Sequence, residues 1–338
     1  MVGAGYFAQF QAEAWQRVNG ARIVAIADEI AGRAEKFAEK WRISKAYLDV
    51  IEMFDKEKPD FVDIVTRPQS HLPLLDLAAE RGIHVICQKP MAPTWDECLT
   101  MVETSARRKI RLIIHENWRW QPWYREINRL LELGKIGTPF YAGFFMRKGD
   151  GRGPTPYPAQ PYFREMERLL IYEMGVHFLD VFRFLFGEID NVFCQIGRAN
   201  PAILGEDFAL VQLNFSNGMR GLIDANRFSG TLEPLIEEMR VEGDRGTVRL
   251  SPDGRLWLTE YGGAESYHEF TRPDQGYRGD SVKTAQEHYI NCLSSGEISE
   301  NEGIDYLKTV AAVFACYASV ETEALVHCRV PDRTVGIS

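Results

Sequence analysis

Hydrophobic and polar positions follow two different rhythms along this chain. Up to residue 117, short apolar runs alternate with stretches whose apolar positions recur every three or four residues. The runs at 23–27, 46–48, 61–66, 83–87 and 112–115 have the length and near-continuous hydrophobicity of strands buried on both faces. The stretches between them, 9–18, 29–41, 50–58, 72–81 and 94–108, have the period of helices, and Thr94 stands where an N-cap belongs. Such alternation predicts α/β architecture with a doubly wound parallel sheet. After Asn117 the pattern changes. Helices are predicted at 122–133 and 165–186, with a strand at 140–147 between them. From 194 to 270 short strands dominate: Ala209, Val211, Leu213 and Phe215 mark one buried face, and strands at 240–242, 247–250 and 256–259 follow after glycine-containing turns. This is a large mixed or antiparallel sheet rather than more strand–helix–strand units. Helices near 282–293 and 304–325 close the pattern.

Composition narrows the class. A chain of 338 residues favours two domains, expected here at 1–117 and 118–338, with the C-terminal helix free to pack back on the first. A net charge of −9 with no long basic run argues against nucleic acid or an anionic membrane as partner. No apolar run approaches membrane-spanning length and the first residues lack a signal-peptide pattern. The six cysteines are scattered without a C-x-x-C pair, which suits small core residues in a reducing cytoplasm. The seven histidines include no H-x-x-x-H or H-E-x-x-H, so no metal site is expected.

Candidate chemistry begins at Gly3-Ala4-Gly5-Tyr6-Phe7-Ala8, a G-x-G-x-x-A run leading into a helix. Asp28 ends the next strand twenty residues after Ala8, where an acid holds the adenosine ribose hydroxyls. Together they predict a Rossmann-type dinucleotide site containing Gly3, Gly5, Tyr6, Phe7 and Asp28, with helix amides facing the pyrophosphate. Because Asp28 and Glu29 repel a 2′-phosphate, NAD is expected rather than NADP; Arg33 is expected to face solvent or pair with a nearby acid. Only Met1 and Val2 precede the glycines, so the numbered chain is expected to start late, through a misassigned start or an upstream segment.

Lys89 follows a buried strand and precedes Pro90, which places it at the carboxyl edge of the sheet, where ligands of open α/β folds sit. Thr66 ends another strand at that edge and His71 opens the next helix; both are cofactor-side candidates. The plain alternative for Lys89 is a solvated lysine. In the predicted long helix, Glu173 and His177 share a face, and Gly175 between them suggests a close approach to the backbone. A satisfied helix-face pair is the alternative. Residues 149–161 hold three glycines and four prolines, the composition of a lid, a binding loop or a disordered excursion.

These pieces together resemble the Gfo/Idh/MocA oxidoreductases over nearly the whole chain. The matching marks are Gly3-Ala4-Gly5, Gln88-Lys89-Pro90, Asn117-Trp118-Arg119 and Glu173-Met174-Gly175-Val176-His177. The resemblance implies that Lys89 and His177 are the catalytic pair and that Glu173 joins them. It further implies that Asn117, Arg119 and Trp120 line the substrate site, and that Gln88 contacts the nicotinamide ribose as an amide where the family has a carboxylate. Glu173 replaces the family's aspartate, adding one methylene.

The runs Cys87-Gln88-Lys89-Pro90-Met91 and His115-Glu116-Asn117-Trp118-Arg119-Trp120-Gln121 are similar to the branch holding aldose dehydrogenases such as apiose dehydrogenase. The expectation is an NAD-dependent dehydrogenase acting on a hydroxyl of a sugar, cyclitol or related polyol. It would be a homodimer or homotetramer joined through the second domain's sheet, whose outer face carries Phe208, Leu210, Leu222 and Phe228. The alternatives are a redox-neutral NAD-dependent glycoside hydrolase of the same fold, a non-catalytic NAD sensor, and an unrelated metal hydrolase with no visible ligand set.

Overall fold

The structure, a computed structural model, describes residues 1–230 and 236–330. By internal contacts the chain divides into one unit of Met1–Trp120 with Pro273–Leu307 and another of Gln121–Arg272 with Lys308–Arg329. Residues 273–307, which sequence patterning places in the second domain, pack with the first.

The first unit alternates as the apolar rhythm predicts: α1 (Ala8–Trp15), β1 (Ala25–Ala27), α2 (Arg33–Trp41), β2 (Lys45–Tyr47), α3 (Val50–Glu57), β3 (Phe61–Ile64), α4 (His71–Ala79), β4 (His84–Gln88), α5 (Trp95–Arg108) and β5 (Leu112–His115). All strand pairs are parallel, in the sets β1–β2 and β3–β4–β5. Val2 joins the sets by bridging Ala27 on one side and Ile64 on the other. It donates to the Asp63 carbonyl at 2.9 Å and accepts from Val65 N–H at 2.8 Å. A single residue thus occupies the central strand position of the doubly wound order. Thr94 caps α5 as its sequence suggests: its hydroxyl accepts from Glu97 N–H at 3.2 Å, while the Glu97 carboxylate accepts from Thr94 N–H at 3.1 Å.

The second unit holds α6 (Pro122–Glu132), β6 (Pro139–Arg147), α7 (Val176–Phe186), β7 (Ile189–Gly197), β8 (Phe208–Phe215), β9 (Arg220–Asn226), β10 (Ile236–Gly243), β11 (Gly246–Leu250), β12 (Leu256–Glu260) and β13 (Ser266–His268). Then come α8 (Ser281–Ser295), which packs in the first unit, α9 (Gly303–Thr322) and β14 (Val326–His327). Among the described residues nine strands form one sheet in the order β13-β12-β11-β10-β6-β9-β8-β7-β14. The β6–β9 pair is parallel and the other pairings among the described residues are antiparallel, so the sheet is mixed. Ala209, Val211, Leu213 and Phe215 are buried on one face of β8. The rings of Phe178 and Phe182 on α7 cover that face, against Phe144 at 4.5 Å and Phe215 at 6.3 Å between centroids. On the other face Phe208 and Leu210 keep 37% and 39% of their surface exposed.

The helix expected over 165–186 is shorter than its apolar run suggests. A 3₁₀ turn covers Pro161–Glu165, and a π-turn at Ile171–Gly175 leads into α7. Gly175 sits inside that wider turn. A Cβ added there would come no nearer than 3.5 Å to Ile171, an ordinary contact, so the close backbone approach expected from the glycine is absent among the described residues.

Residues 149–161 are irregular and fastened. Arg227 pairs with Asp150 through two nitrogens, one at 3.0 Å, and lies over the Tyr157 ring at 4.4 Å. Asn200 donates to the carbonyls of Gly151 at 2.6 Å and Gly153 at 2.9 Å. This is an ordered loop, not a disordered excursion.

Candidate active site

The glycine turn and the turns after β1, β3, β4 and β5 lie at the carboxyl edge of the first unit's sheet. Gly3 takes φ +92°, and a Cβ there would lie 2.5 Å from the Val65 carbonyl, so only glycine fits this turn. At Gly5 an added Cβ would meet nothing within 4 Å, which leaves open space in front of the turn. Asp28 is buried at the end of β1; its carboxylate accepts from Ala4 N–H at 2.9 Å and Ile30 N–H at 3.0 Å. Arg33 pairs with Asp28 itself at 3.7 Å. Tyr6 is half exposed, while the Phe7 ring, at the start of α1, meets Tyr277 at 5.4 Å.

At the end of β4, the Gln88 side-chain carbonyl accepts from Lys89 N–H at 2.8 Å. Its amide nitrogen is buried with no hydrogen-bond partner among the described residues. A buried donor left so costs free energy until a ligand or water takes it. Lys89 is half-buried beside it. Thr66 accepts from the Ser70 hydroxyl at 2.7 Å. His71 is fully buried with its ring nitrogens against the Met91 carbonyl at 3.0 Å and the Thr66 carbonyl at 3.2 Å, and burial pushes its pKa down. It therefore braces two turns of the edge and has no open surface for a cofactor contact.

The motif after β5 is also largely structural. Asn117 donates to the Ser281 hydroxyl at 2.9 Å and Arg119 to the Glu300 carbonyl at 3.1 Å. Trp120 packs in a core cluster with Trp15, Ile113 and Tyr289, its indole N–H on Asn301 at 2.8 Å. That gives Trp120 a core position instead of the substrate contact expected for it. Patterning missed Glu116, which is fully buried and accepts from Trp118 N–H at 2.9 Å and the Tyr306 hydroxyl at 3.1 Å. Burial raises its pKa to about 7, held back by the Trp118 N–H, the nearby charges of Lys89 and Arg119, and Tyr306. It also missed Tyr277 and Arg278; Arg278 lies over the Trp118 ring at 4.5 Å. Nothing local marks Tyr277, since its partners are some 270 residues away in the chain.

In the second unit, Glu173 lies in the π-turn and His177 in the first turn of α7; both are buried. Buried Glu206 holds the start of this segment. Its carboxylate accepts from Leu169 N–H at 3.1 Å, Ile171 N–H at 2.9 Å and the Tyr317 hydroxyl at 2.7 Å. Tyr317 in turn accepts from Tyr172 N–H at 3.1 Å. π-turns recur at functional sites, and this one carries the acid that sequence patterning singles out. Among the described residues no group of three or more His, Cys, Asp or Glu is arranged to hold a metal ion.

The glycine turn, the acid closing β1 and the unpaired Gln88 amide fit a dinucleotide, and with a second, sheet-based unit they define a two-unit NAD-dependent oxidoreductase. Comparison with known proteins agrees: residues 1–116 match the model of the oxidoreductase family with an NAD-binding Rossmann fold, and residues 124–249 that family's C-terminal domain. The chain belongs to the Gfo/Idh/MocA family. It is 36% identical over 329 residues to D-apiose dehydrogenase of Rhizobium rhizogenes, covering 94% of each chain. Against D-apiose dehydrogenase of Paraburkholderia graminis the figure is 35% over 328 residues, 94% of this chain and 86% of that one. A crystal structure of an oxidoreductase from Agrobacterium radiobacter, in complex with NAD+, L-tartaric acid and magnesium, superposes with a TM-score of 0.88 at 34% identity over 97% of both chains.

Proposed function

We propose that this chain takes a hydride from a hydroxyl-bearing carbon of a sugar, cyclitol or related polyol, with an aldose as the first candidate. The observation that carries this reading is similarity to two D-apiose dehydrogenases across 94% of the chain. Bound NAD supplies the hydride acceptor. Residues 1–117 hold it: the turn containing Gly3, Gly5, Tyr6 and Phe7 takes the pyrophosphate, Asp28 the adenosine ribose, and the Gln88 amide the nicotinamide ribose, with Thr66 beside it. The unit of Gln121–Arg272 with Lys308–Arg329 takes the substrate. His177 accepts the hydroxyl proton, Lys89 stabilises the developing negative charge, and Glu173 orients His177 or holds a neighbouring substrate hydroxyl. Asn117 and Arg119 support the site's shape.

An NADH-formation screen over aldoses, polyols, inositols and sugar acids tests this. Sustained NADH release with one group of sugars is expected, and a complete lack of it across the panel would refute the reading. With the best substrate, NAD should exceed NADP at least tenfold in kcat/KM, about 1.4 kcal/mol. On this reading the Asp28 carboxylate repels a 2′-phosphate, and equal use of both cofactors would contradict that role.

We also propose a cytoplasmic homodimer or homotetramer joined through the outer face of the large sheet. The six cysteines are free thiols, which suits a reducing compartment, and no described helix is long and apolar enough to cross a membrane. Phe208 and Leu210 stay exposed on this face and Leu222 and Phe228 partly so, apolar surface that an interface would cover. Light scattering at micromolar concentration should give twice or four times the 38.6 kDa chain mass. A monomer mass would count decisively against it.

A further inference from the structure

The most unusual charged group of the first unit is one that no motif singles out. Glu116 is wholly removed from solvent, yet it lies at the edge of the sheet that presents Lys89. The parallel pairing of β4 with β5 ends at Gln88 opposite His115, so Lys89 and Glu116 each follow directly on the last paired residue, and their charges act on one another. Both residues lie one step beyond the paired strands, at the carboxyl edge. We propose that Glu116 is the positioning residue for Lys89, its carboxylate fixing the lysine ammonium at the mouth of the cofactor site. This rests on the catalytic role proposed above for Lys89.

Several groups surround this carboxyl. Lys89 comes from the end of β4, the Trp118 N–H and Arg119 from the turn after β5, and the Tyr306 hydroxyl from α9; Tyr289 on α8 donates to the Glu116 backbone carbonyl at 3.4 Å, and His115 precedes it on β5. Two of these are cations, and neither Trp118 N–H nor Tyr306 can balance a full negative charge alone. A carboxylate buried here therefore depends on Lys89 and Arg119, and they depend on it. The carboxyl titrates near neutrality, at about 7. Below that pH it is protonated and neutral, so its hold on the ammonium is weak. Above it the carboxylate is charged and fixes the Lys89 ammonium in place.

Two measurements on the NAD-bound protein test the assignment, using Glu116→Gln as the isosteric neutral variant and Glu116→Asp as the shortened acid. The first needs no substrate: trace acetylation of Lys89, quantified by mass spectrometry against pH. At pH 8 the Gln variant should raise Lys89 reactivity about tenfold, because the ammonium loses its fixed partner, with Asp in between. The second is the pH profile of kcat/KM with the screened sugar. At pH 8 the Gln variant should lose roughly ten- to a hundredfold in kcat, with the KM for NAD little changed. It should converge on the wild type below about pH 6, where the native carboxyl is itself protonated. Unchanged Lys89 labelling in a folded Gln variant, or a loss of kcat that is the same at every pH, would overturn the proposal. If no sugar is oxidised by the wild type, the functional reading fails while the labelling result still decides the pairing.

Discussion

Lys89→Met and His177→Ala should each lower kcat by roughly 10²–10⁴-fold, with NAD affinity changed far less. Hydride loss from an alcohol requires the hydroxyl proton to leave, or the developing alkoxide to be stabilised, in the same step. Methionine keeps the length and apolar stem of Lys89 but removes its charge at the end of β4. Alanine removes the imidazole that α7 carries in its first turn. A histidine ordinarily titrates near ~6.5 and suits proton acceptance, while a lysine suits charge stabilisation. Wild-type kcat/KM should accordingly rise with pH through a group between about 6 and 9. Steady-state kinetics with the sugar found by the screen, together with NAD titration by protein fluorescence, would check both variants. Near-wild-type kcat and an unaltered pH profile in His177→Ala would remove His177 from the chemistry.

Glu206→Ala should destabilise the second unit by about 3 kcal/mol and lower kcat as well. Three donors converge on this carboxylate: the N–H groups of Leu169 and Ile171 and the Tyr317 hydroxyl. Removing it leaves buried donors without an acceptor, at a cost of about 1–3 kcal/mol each where water cannot reach them. The segment released is the one that leads into the π-turn, so Glu173 and His177 would lose their fixed placement along with the stability. Glu206→Gln retains one acceptor oxygen and should recover about half of the loss. Denaturant melts of the three proteins give the measurement, and an alanine variant as stable as the wild type would show that the network contributes little.

Sequence patterning reached the architecture because the elements carry their own punctuation. Thr94 with Glu97 announces α5, and the alternation from Ala209 to Phe215 announces β8 and its inner face. Gly3, Asp28 and Lys89 were legible for the same reason: each sits where a strand of this sheet ends. What stayed hidden is what depends on long-range partners. The apolar run after Glu165 looks continuous, and only the Glu206 carboxylate, some 35 residues downstream, explains where the π-turn is anchored. Glu116 reads as one more polar residue until the fold brings its buried carboxyl within reach of the Lys89 charge at the ends of β4 and β5. Trp120 looks like a site residue in its motif, yet Tyr289 and Trp15 draw it into the core.

The fastened loop of residues 149–161 carries an implication for how specificity can change. Its latch is made from its own backbone and a few inward side chains: Asn200 holds the Gly151 and Gly153 carbonyls, and Arg227 holds Asp150 and stacks on Tyr157. Pro154 and Thr155 take no part in the latch and lie exposed, while Arg152 adds to it by donating to the Phe228 carbonyl at 3.1 Å. The loop is thus a rigid rim with interchangeable ornaments. Ligand recognition there would begin from a preorganised surface, with little ordering entropy to lose. Grafting the rim onto a relative would transplant its shape only if Asn200 and Arg227 travelled with it.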